Sequence, residues 1–390
     1  MPVAYLLLIF SAALIFHIVA GYPLLLALRH GGVQRPVAKD PDFETTVTVV
    51  MAVHNGESMI RQKLETLRGL DYPGHLVDVI VVSDGSTDRT EAIVREFAGQ
   101  RVLLLTAPRG GKAAALNHGL AMATGEIIFF TDVRQPLETR CLRHLVANFA
   151  DPEVGAVTGE LVLLRGDTGE QADMDLYWRY EIWARQRQSG IDSLFNTTGC
   201  VYAMRRSLTA PLPADTLTDD AVMPLRAFFQ GYRVIFDPAA IAYDYPAVAG
   251  TEFRRRFRTL AGLWQVHARL PKIFSGSNRM RFHFLSHKFG RLMLPWLFLV
   301  FFGSALALPH AWFRTLLLSG GALWLLLAGV NGFVSSASPL KRLTSPARTF
   351  LVMNAAALVA IAVFFVPATT LWTPTRVHPS AESKPNPIRS

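Results

Sequence analysis

The stretch VDVIVVSDGSTDRTEAIVREF, residues 77–97, carries the pattern that decides the fold. Its opening, Val77–Ser83, is an apolar run rich in β-branched side chains, the composition of a buried strand. Asp84 follows. Asp88 and Glu91 then stand three residues apart, the spacing of a capping box, and predict a helix start. The same unit recurs on both sides. VTVVMAV (47–53) precedes Ile60, Leu64 and Leu67 at helical spacing. RVLLLT (101–106) precedes Ala113, Leu116 and Leu120, and residues 127–132 precede Leu142, Leu145, Val146 and Phe149. This alternation predicts an α/β domain with a mostly parallel sheet and helices on both faces. EVGAVTGELVLL (153–164) extends the sheet, YWRYEIWARQRQ (177–188) reads as a helix, and GYRVIFDPAAIAY (231–243) reads as two short strands around a turn at Asp237-Pro238.

Ligands of such sheets bind at the strand C-terminal ends. Here those ends carry His54-Asn55, Asp84, Arg109–Lys112 and Asp132. One polar residue after a strand is ordinary turn chemistry. Four at successive strand ends point to a common crevice.

The composition adds a membrane. Hydrophobic residues make up 51% of the 390-residue chain. Residues 3–28 hold no Lys, Arg, Asp or Glu, only His17, enough to span a bilayer. A cleaved signal peptide is the alternative, but the run is too long for its apolar region and lacks a basic start. Leu292–Pro309, Thr315–Val334 and Phe350–Trp372 are three further candidates. Arg29, Arg35 and Lys39 follow the first span, and Lys341, Arg342 and Arg348 lie between the third and fourth. The positive-inside rule then puts residues 29–291 in the cytoplasm. Arg314, Arg376, Lys384 and Arg389 fall outside and count against it. The expected order is a spanning helix (1–30), a linker (31–46), a catalytic domain (47–250), basic interfacial helices (251–288), three spanning helices (289–372) and a disordered tail (373–390).

Charge and cysteine content exclude other classes. The net charge is +9, and residues 252–291 hold ten Lys or Arg against the single acid Glu252. Beside a span, that run suits an anionic membrane surface better than nucleic acid. Cys141 and Cys200 are the only cysteines, so no disulfide framework or Cys/His metal spacing is readable. RGGKAAALNHG (109–119) fails as a P-loop, because Ala113 follows Lys112 and the first glycine is missing. Gly110, Gly111 and Lys112 still suit a phosphate. In LTDDAVMPLRAFFQ (217–230), two adjacent carboxylates raise at least one pKa, which suits a general base. Thr218, Asp219 and Asp220 equally suit a helix cap. FRRRFR (253–258) suits diphosphate recognition through the arginine fork, or a membrane-surface charge run.

These motifs together resemble a membrane-integrated family 2 glycosyltransferase with a GT-A fold, similar to bacterial exopolysaccharide synthases of the cellulose, hyaluronan and poly-N-acetylglucosamine type. The resemblance covers about residues 47–300. VVMAVHNGE resembles the first strand and its nucleotide-facing turn, implying donor contacts at His54, Asn55 and Glu57. VVSDGSTDRT is similar to the base-binding motif and implies that Asp84 binds the base. GGKAAALNHGL resembles the lysine-bearing helix start, with Lys112 near the donor. TTGCVYAMRR (197–206) resembles the sugar-pocket segment and implies roles for Gly199 and Cys200. TDD resembles the Thr-Glu-Asp motif, implying Asp220 as base with Asp219 beside the sugar. RRFRT resembles the Gln/Arg-x-x-Arg-Trp motif, with Arg255 and Arg258 in register and Thr259 where the synthases have Trp.

The resemblance implies inverting transfer from a nucleotide sugar, expected to be a UDP-sugar, to a growing polysaccharide or lipid-linked saccharide held near Trp264. Expected partners include membrane lipids and export or envelope-biosynthesis subunits, with no nucleic acid. The expected location is the bacterial inner (plasma) membrane, multi-pass. The expected cofactor is Mg²⁺ or Mn²⁺ at Asp132, the first Asp of the family's Asp-x-Asp. Arg134 replaces the second. It faces away, or sits on the diphosphate, or marks lost activity. Rival readings are a single transfer to a lipid carrier and an inactive membrane scaffold or transport subunit.

Overall fold

The computed structural model describes residues 2–28, 34–163, 169–244, 252–335 and 338–371. Seven strands form one mixed sheet: β1 Val47–Val53, β2 Val77–Asp84, β3 Val102–Ala107, β4 Ile127–Phe130, β5 Val154–Leu163, β6 Tyr202–Arg205 and β7 Arg233–Asp244. Their order is β3-β2-β1-β4-β6-β5-β7. The first four are mutually parallel, β6 runs antiparallel to β4 and β5, and β7 is parallel to β5. β1 and β4 are buried on both faces, hence their unbroken apolar sequence. One core cluster packs Ile60, Leu64, Leu145 and Val146 on one face, and the other packs Leu116, Met223 and Phe228 on the opposite face.

Three local expectations differ from the structure. The turn at Asp237-Pro238 does not divide residues 231–243, and β7 runs through it with a register shift against β5. Asp237 is held by Lys39 Nζ at 2.6 Å and by Asn148, while Pro238 is exposed at the irregularity, where a missing N–H costs no ladder bond. The capping box is half formed. Asp88 Oδ1 accepts from Thr90 N–H at 3.0 Å, but Glu91 accepts from Ser83 Oγ instead of reaching back. The 34–46 part of the expected linker has no helix or strand, yet it is anchored. Arg35 pairs with Asp192 at 2.5 Å, and its carbonyl accepts from Arg233.

Four helices are long and apolar enough to cross a membrane: α1 Pro2–Leu28, Arg281–Leu306, Ala311–Phe333 and Lys341–Phe364. The second starts at Arg281 rather than near Leu292. Its polar residues face protein partners: Ser286 meets His17 at 2.9 Å, and Lys288 and Arg291 meet Glu181. Charge counts along the sequence end a span there, whereas pairing lets the helix continue. The helix Glu252–Arg269 packs Leu260 and Ala261 against Ala356, Ala357 and Ala360 of the fourth. Arg29, Trp372 and the tail residues Arg376, Lys384 and Arg389 lie outside the described residues.

Candidate active site

The C-terminal ends of β1 to β4 do converge. Asp84, only 3% exposed, ends β2 and receives the N–H groups of Gly110 (2.7 Å) and Gly111 (3.0 Å) and the Arg109 guanidinium. Gly85 has φ +62°, and a Cβ there would stand 2.8 Å from Arg109 N, so glycine is required for the two loops to meet. His54 Nδ1 donates to the Asp84 carbonyl at 2.9 Å. Asn55 Oδ1 accepts from Thr87 N–H, and Glu57 Oε2 accepts from Arg89 N–H. The side chains of Asn55 and Glu57 thus hold the loop after β2.

Lys112 opens the helix Lys112–Met122 behind this loop. Its Nζ lies 3.0 Å from Asp132 Oδ1 and 3.4 Å from Asp219 Oδ1. Burial works against its charge, but Asp132, Asp219 and Asp220 outweigh it and raise its pKa. Asp219 and Asp220 begin the helix Asp219–Phe229. Thr218 makes no side-chain cap there. Among the described residues, Thr218 Oγ1 and Asp219 Oδ2 are buried without hydrogen-bond partners. The pKa of Asp220 is pushed up to about 7, first by burial and then by the charge of Asp219, against Lys112 and Arg185. Gly199 lies beside it, with its Cβ position 3.5 Å from Asp220 Oδ2. The Cys200 thiol is buried, and burial with Asp132 and Asp244 pushes its pKa up, so it stays protonated. It is a wall group rather than a nucleophile.

The arginine helix Glu252–Arg269 closes the crevice. Gly262 approaches Thr218 so closely that a Cβ would stand 2.4 Å from Thr218 Cγ2. This contact brings Arg258 into the field of Asp132 and Asp220. Burial and Arg255 lower its pKa, and the two carboxylates oppose them. Thr259 is exposed, and its hydroxyl donates to the Arg255 carbonyl at 3.1 Å. Trp264 stands edge-on to Phe289 and Phe364, on the second and fourth of the long apolar helices.

Arg134 pairs with Asp244 at 2.7 Å, at the end of β7. Asp244 is 1% exposed. The guanidinium is thus held by a buried carboxylate, and its charge also bears on Arg258. Asp132 remains partly exposed. A partly exposed carboxylate and a neighbouring buried Asp219 oxygen without a partner among the described residues fit a hard divalent cation.

Two residues escaped the sequence reading. Arg185 donates to Thr198 Oγ1 at 2.6 Å and bears on Asp220. It lies on the long helix Gly169–Ile191, whose aromatic and charged sequence gives no facing direction. Tyr202 is fully buried, stacked on Phe130 with ring centroids 4.5 Å apart, and its phenol feels Asp219 and Asp220. It lies within the TTGCVYAMRR segment, whose resemblance singles out Gly199 and Cys200 and not this tyrosine.

Known proteins resemble this chain in sequence and fold. The family model described as Glycosyl transferase family 2 matches residues 48–210, and that described as Glycosyl transferase family group 2 matches residues 135–373, more than half of the chain. A beta-monoglucosyldiacylglycerol synthase of Synechocystis sp. is 31% identical over 201 residues, 48% of this chain and 41% of the relative. The poly-beta-1,6-N-acetyl-D-glucosamine synthase of Staphylococcus aureus is 22% identical over 275 residues, 67% of this chain and 66% of the relative. The chain spans about half the length of several curated relatives it matches. Among solved structures, the mannosyltransferase PcManGT from Pyrobaculum calidifontis, in complex with GDP-Man and Mn²⁺, superposes with a TM-score of 0.71 at 26% identity. That match covers 92% of this chain and 99% of the other. The mixed sheet, the polar crevice at its strand ends and these matches agree: the chain is a glycosyltransferase of the GT-A fold and belongs to glycosyl transferase family group 2.

Proposed function

We propose that the protein catalyses inverting transfer of a sugar from a nucleoside-diphosphate sugar to a lipid-linked saccharide or growing polysaccharide at the cytoplasmic face of a bacterial plasma membrane. The observation that carries this is Asp220, a buried carboxylate with its pKa near neutrality between the phosphate-seeking cations Lys112 and Arg258. A base is most effective when its pKa lies near the working pH. Asp220 takes the proton of the acceptor hydroxyl as that oxygen bonds to the anomeric carbon. The bond from that carbon to the diphosphate breaks, and configuration inverts. Lys112, Arg255 and Arg258 stabilise the charge gathering on the leaving diphosphate. Asp132 would hold Mg²⁺ or Mn²⁺, which supplies further positive charge to the phosphate oxygens. Asp84, backed by Gly110 and Gly111, faces the base.

A UDP-sugar follows from the resemblance to the synthases, and the GDP-Man of PcManGT makes a GDP-sugar the second donor to test. Thr259 in place of the synthases' Trp and the similarity to a glycolipid synthase favour a single transfer to a lipid acceptor over processive synthesis. A panel of UDP- and GDP-sugars with product masses gives both donor and number of additions. Asp220→Asn is expected to lower transfer by about 10²–10⁴-fold while nucleotide still binds. Full activity in that variant removes Asp220 from the base role.

A further inference from the structure

Behind the crevice, on the opposite side of β4, one lysine is enclosed. Lys63 lies on the helix Glu57–Arg68 in the apolar stripe formed by Ile60, Leu64 and Leu67, a place where a leucine would be expected. It is 2% exposed. Among the described residues no carboxylate pairs with it. Its Nζ donates to Thr131 Oγ1 at 2.8 Å and to the Gln135 carbonyl at 2.6 Å. Thr131 Oγ1 in turn donates to the Cys200 carbonyl at 2.9 Å. Cys200 adjoins Gly199, the glycine against Asp220. Burial lowers the Lys63 pKa to about 8, so the ammonium keeps its proton at neutral pH.

Burying an ammonium without an ion-pair partner is costly, and an apolar residue would fill the same space without that cost. The return is geometric. Lys63 grips both ends of the turn 131–135, whose second residue is Asp132 and whose fourth, Arg134, is tied sideways to Asp244. Lys112 meets Asp132 from the crevice side. The turn is therefore held at its base, its flank and its tip.

We propose that Lys63 is a positioning residue: its buried ammonium clamps the Thr131–Gln135 turn so that Asp132 projects into the crevice, and through Thr131 it sets the segment beside Asp220. This rests on the reading of Asp132 as the carboxylate that serves the cation and diphosphate. The probes are Mn²⁺ with UDP and Mn²⁺ with GDP, measured by calorimetry on the full-length protein in detergent, together with kinetics for donor and acceptor. Lys63→Met keeps the length and removes the donors. The expected result is at least tenfold weaker Mn²⁺–nucleotide binding and a raised donor KM, with the acceptor KM unchanged. A merely structural role would lower the folded fraction and leave both constants of the folded protein at wild-type values, and that result overturns the proposal. Thr131→Val removes one receiving hydroxyl while Lys63 stays, and serves if Lys63→Met does not fold. A shift in the same direction is expected, and wild-type binding overturns the clamp. Asp132→Asn separates the two levels. If it binds Mn²⁺–nucleotide as wild type does, the underlying reading fails and takes the clamp with it. If it binds weakly while folded Lys63→Met binds normally, only the clamp fails.

Discussion

Replacing Asp219 by asparagine removes the negative charge beside the proposed base and leaves its shape. The Asp220 pKa of about 7 comes first from burial and second from Asp219, with Lys112 and Arg185 opposing. Two unit charges about 6 Å apart, a spacing open to neighbouring side chains of a helix's first turn, repel by about 3 kcal/mol at an effective dielectric constant of about 20, or about two pH units. Lys112 Nζ is 3.4 Å from Asp219 Oδ1, so part of the Asp219 charge is already answered, and a fall of about one to two units is expected. The base must be ionised to act. In wild type kcat/KM therefore rises with pH through about 7. In Asp219→Asn the same limb is expected at about pH 5–6, because burial persists. Stability follows the same sign. The folded pKa of Asp220 lies above its unfolded value of about 3.9, so its contribution is fully present below that value and is lost as pH rises through about 7. Asp219→Asn narrows that window. The assay is nucleotide release against pH at low donor concentration, reading the position of the limb rather than its height. A limb that stays near 7 in active Asp219→Asn refutes the assignment of base to Asp220.

The pair Arg134–Asp244 gives a second test. Breaking a buried pair by removing one partner costs about 3–5 kcal/mol, so Arg134→Ala and Asp244→Ala should each lower thermal stability, and the double variant should lose less than their sum. Additive losses show the pair is not coupled. Excess EDTA is expected to abolish transfer and Mn²⁺ or Mg²⁺ to restore it. Undiminished transfer in EDTA assigns the diphosphate to Lys112, Arg255 and Arg258 alone.

The parts legible in the sequence share one property: their signals are local. Strand runs and helical spacing need only neighbouring residues, so β1 to β4 and the strand-end groups at Asp84, Lys112 and Asp132 were readable in order. Four apolar stretches likewise marked four helices. The second of them was cut short because Lys288 and Arg291 look like water-facing charges until Glu181 is placed beside them. Asp237-Pro238 read as a turn because Lys39 and Asn148, which hold Asp237, are remote in sequence.

The amino-acid sequence by itself determined the α/β architecture, four helices long and apolar enough to cross a membrane, and the residue types gathered at the strand ends, because periodicity and composition act over a few residues. Only the tertiary structure decided what each charge faces. Arg134 reads as a defect in a metal motif until Asp244, 110 residues further on, is seen to take its guanidinium. Arg185 reads as one of several helix charges until Thr198 and Asp220 are set against it. Lys63 reads as a lysine out of pattern until the turn at Thr131 closes over it. The physical reason is common to all three: the energy of a charge is set by what it meets after burial, and those partners come from distant segments that only the folded sheet brings together.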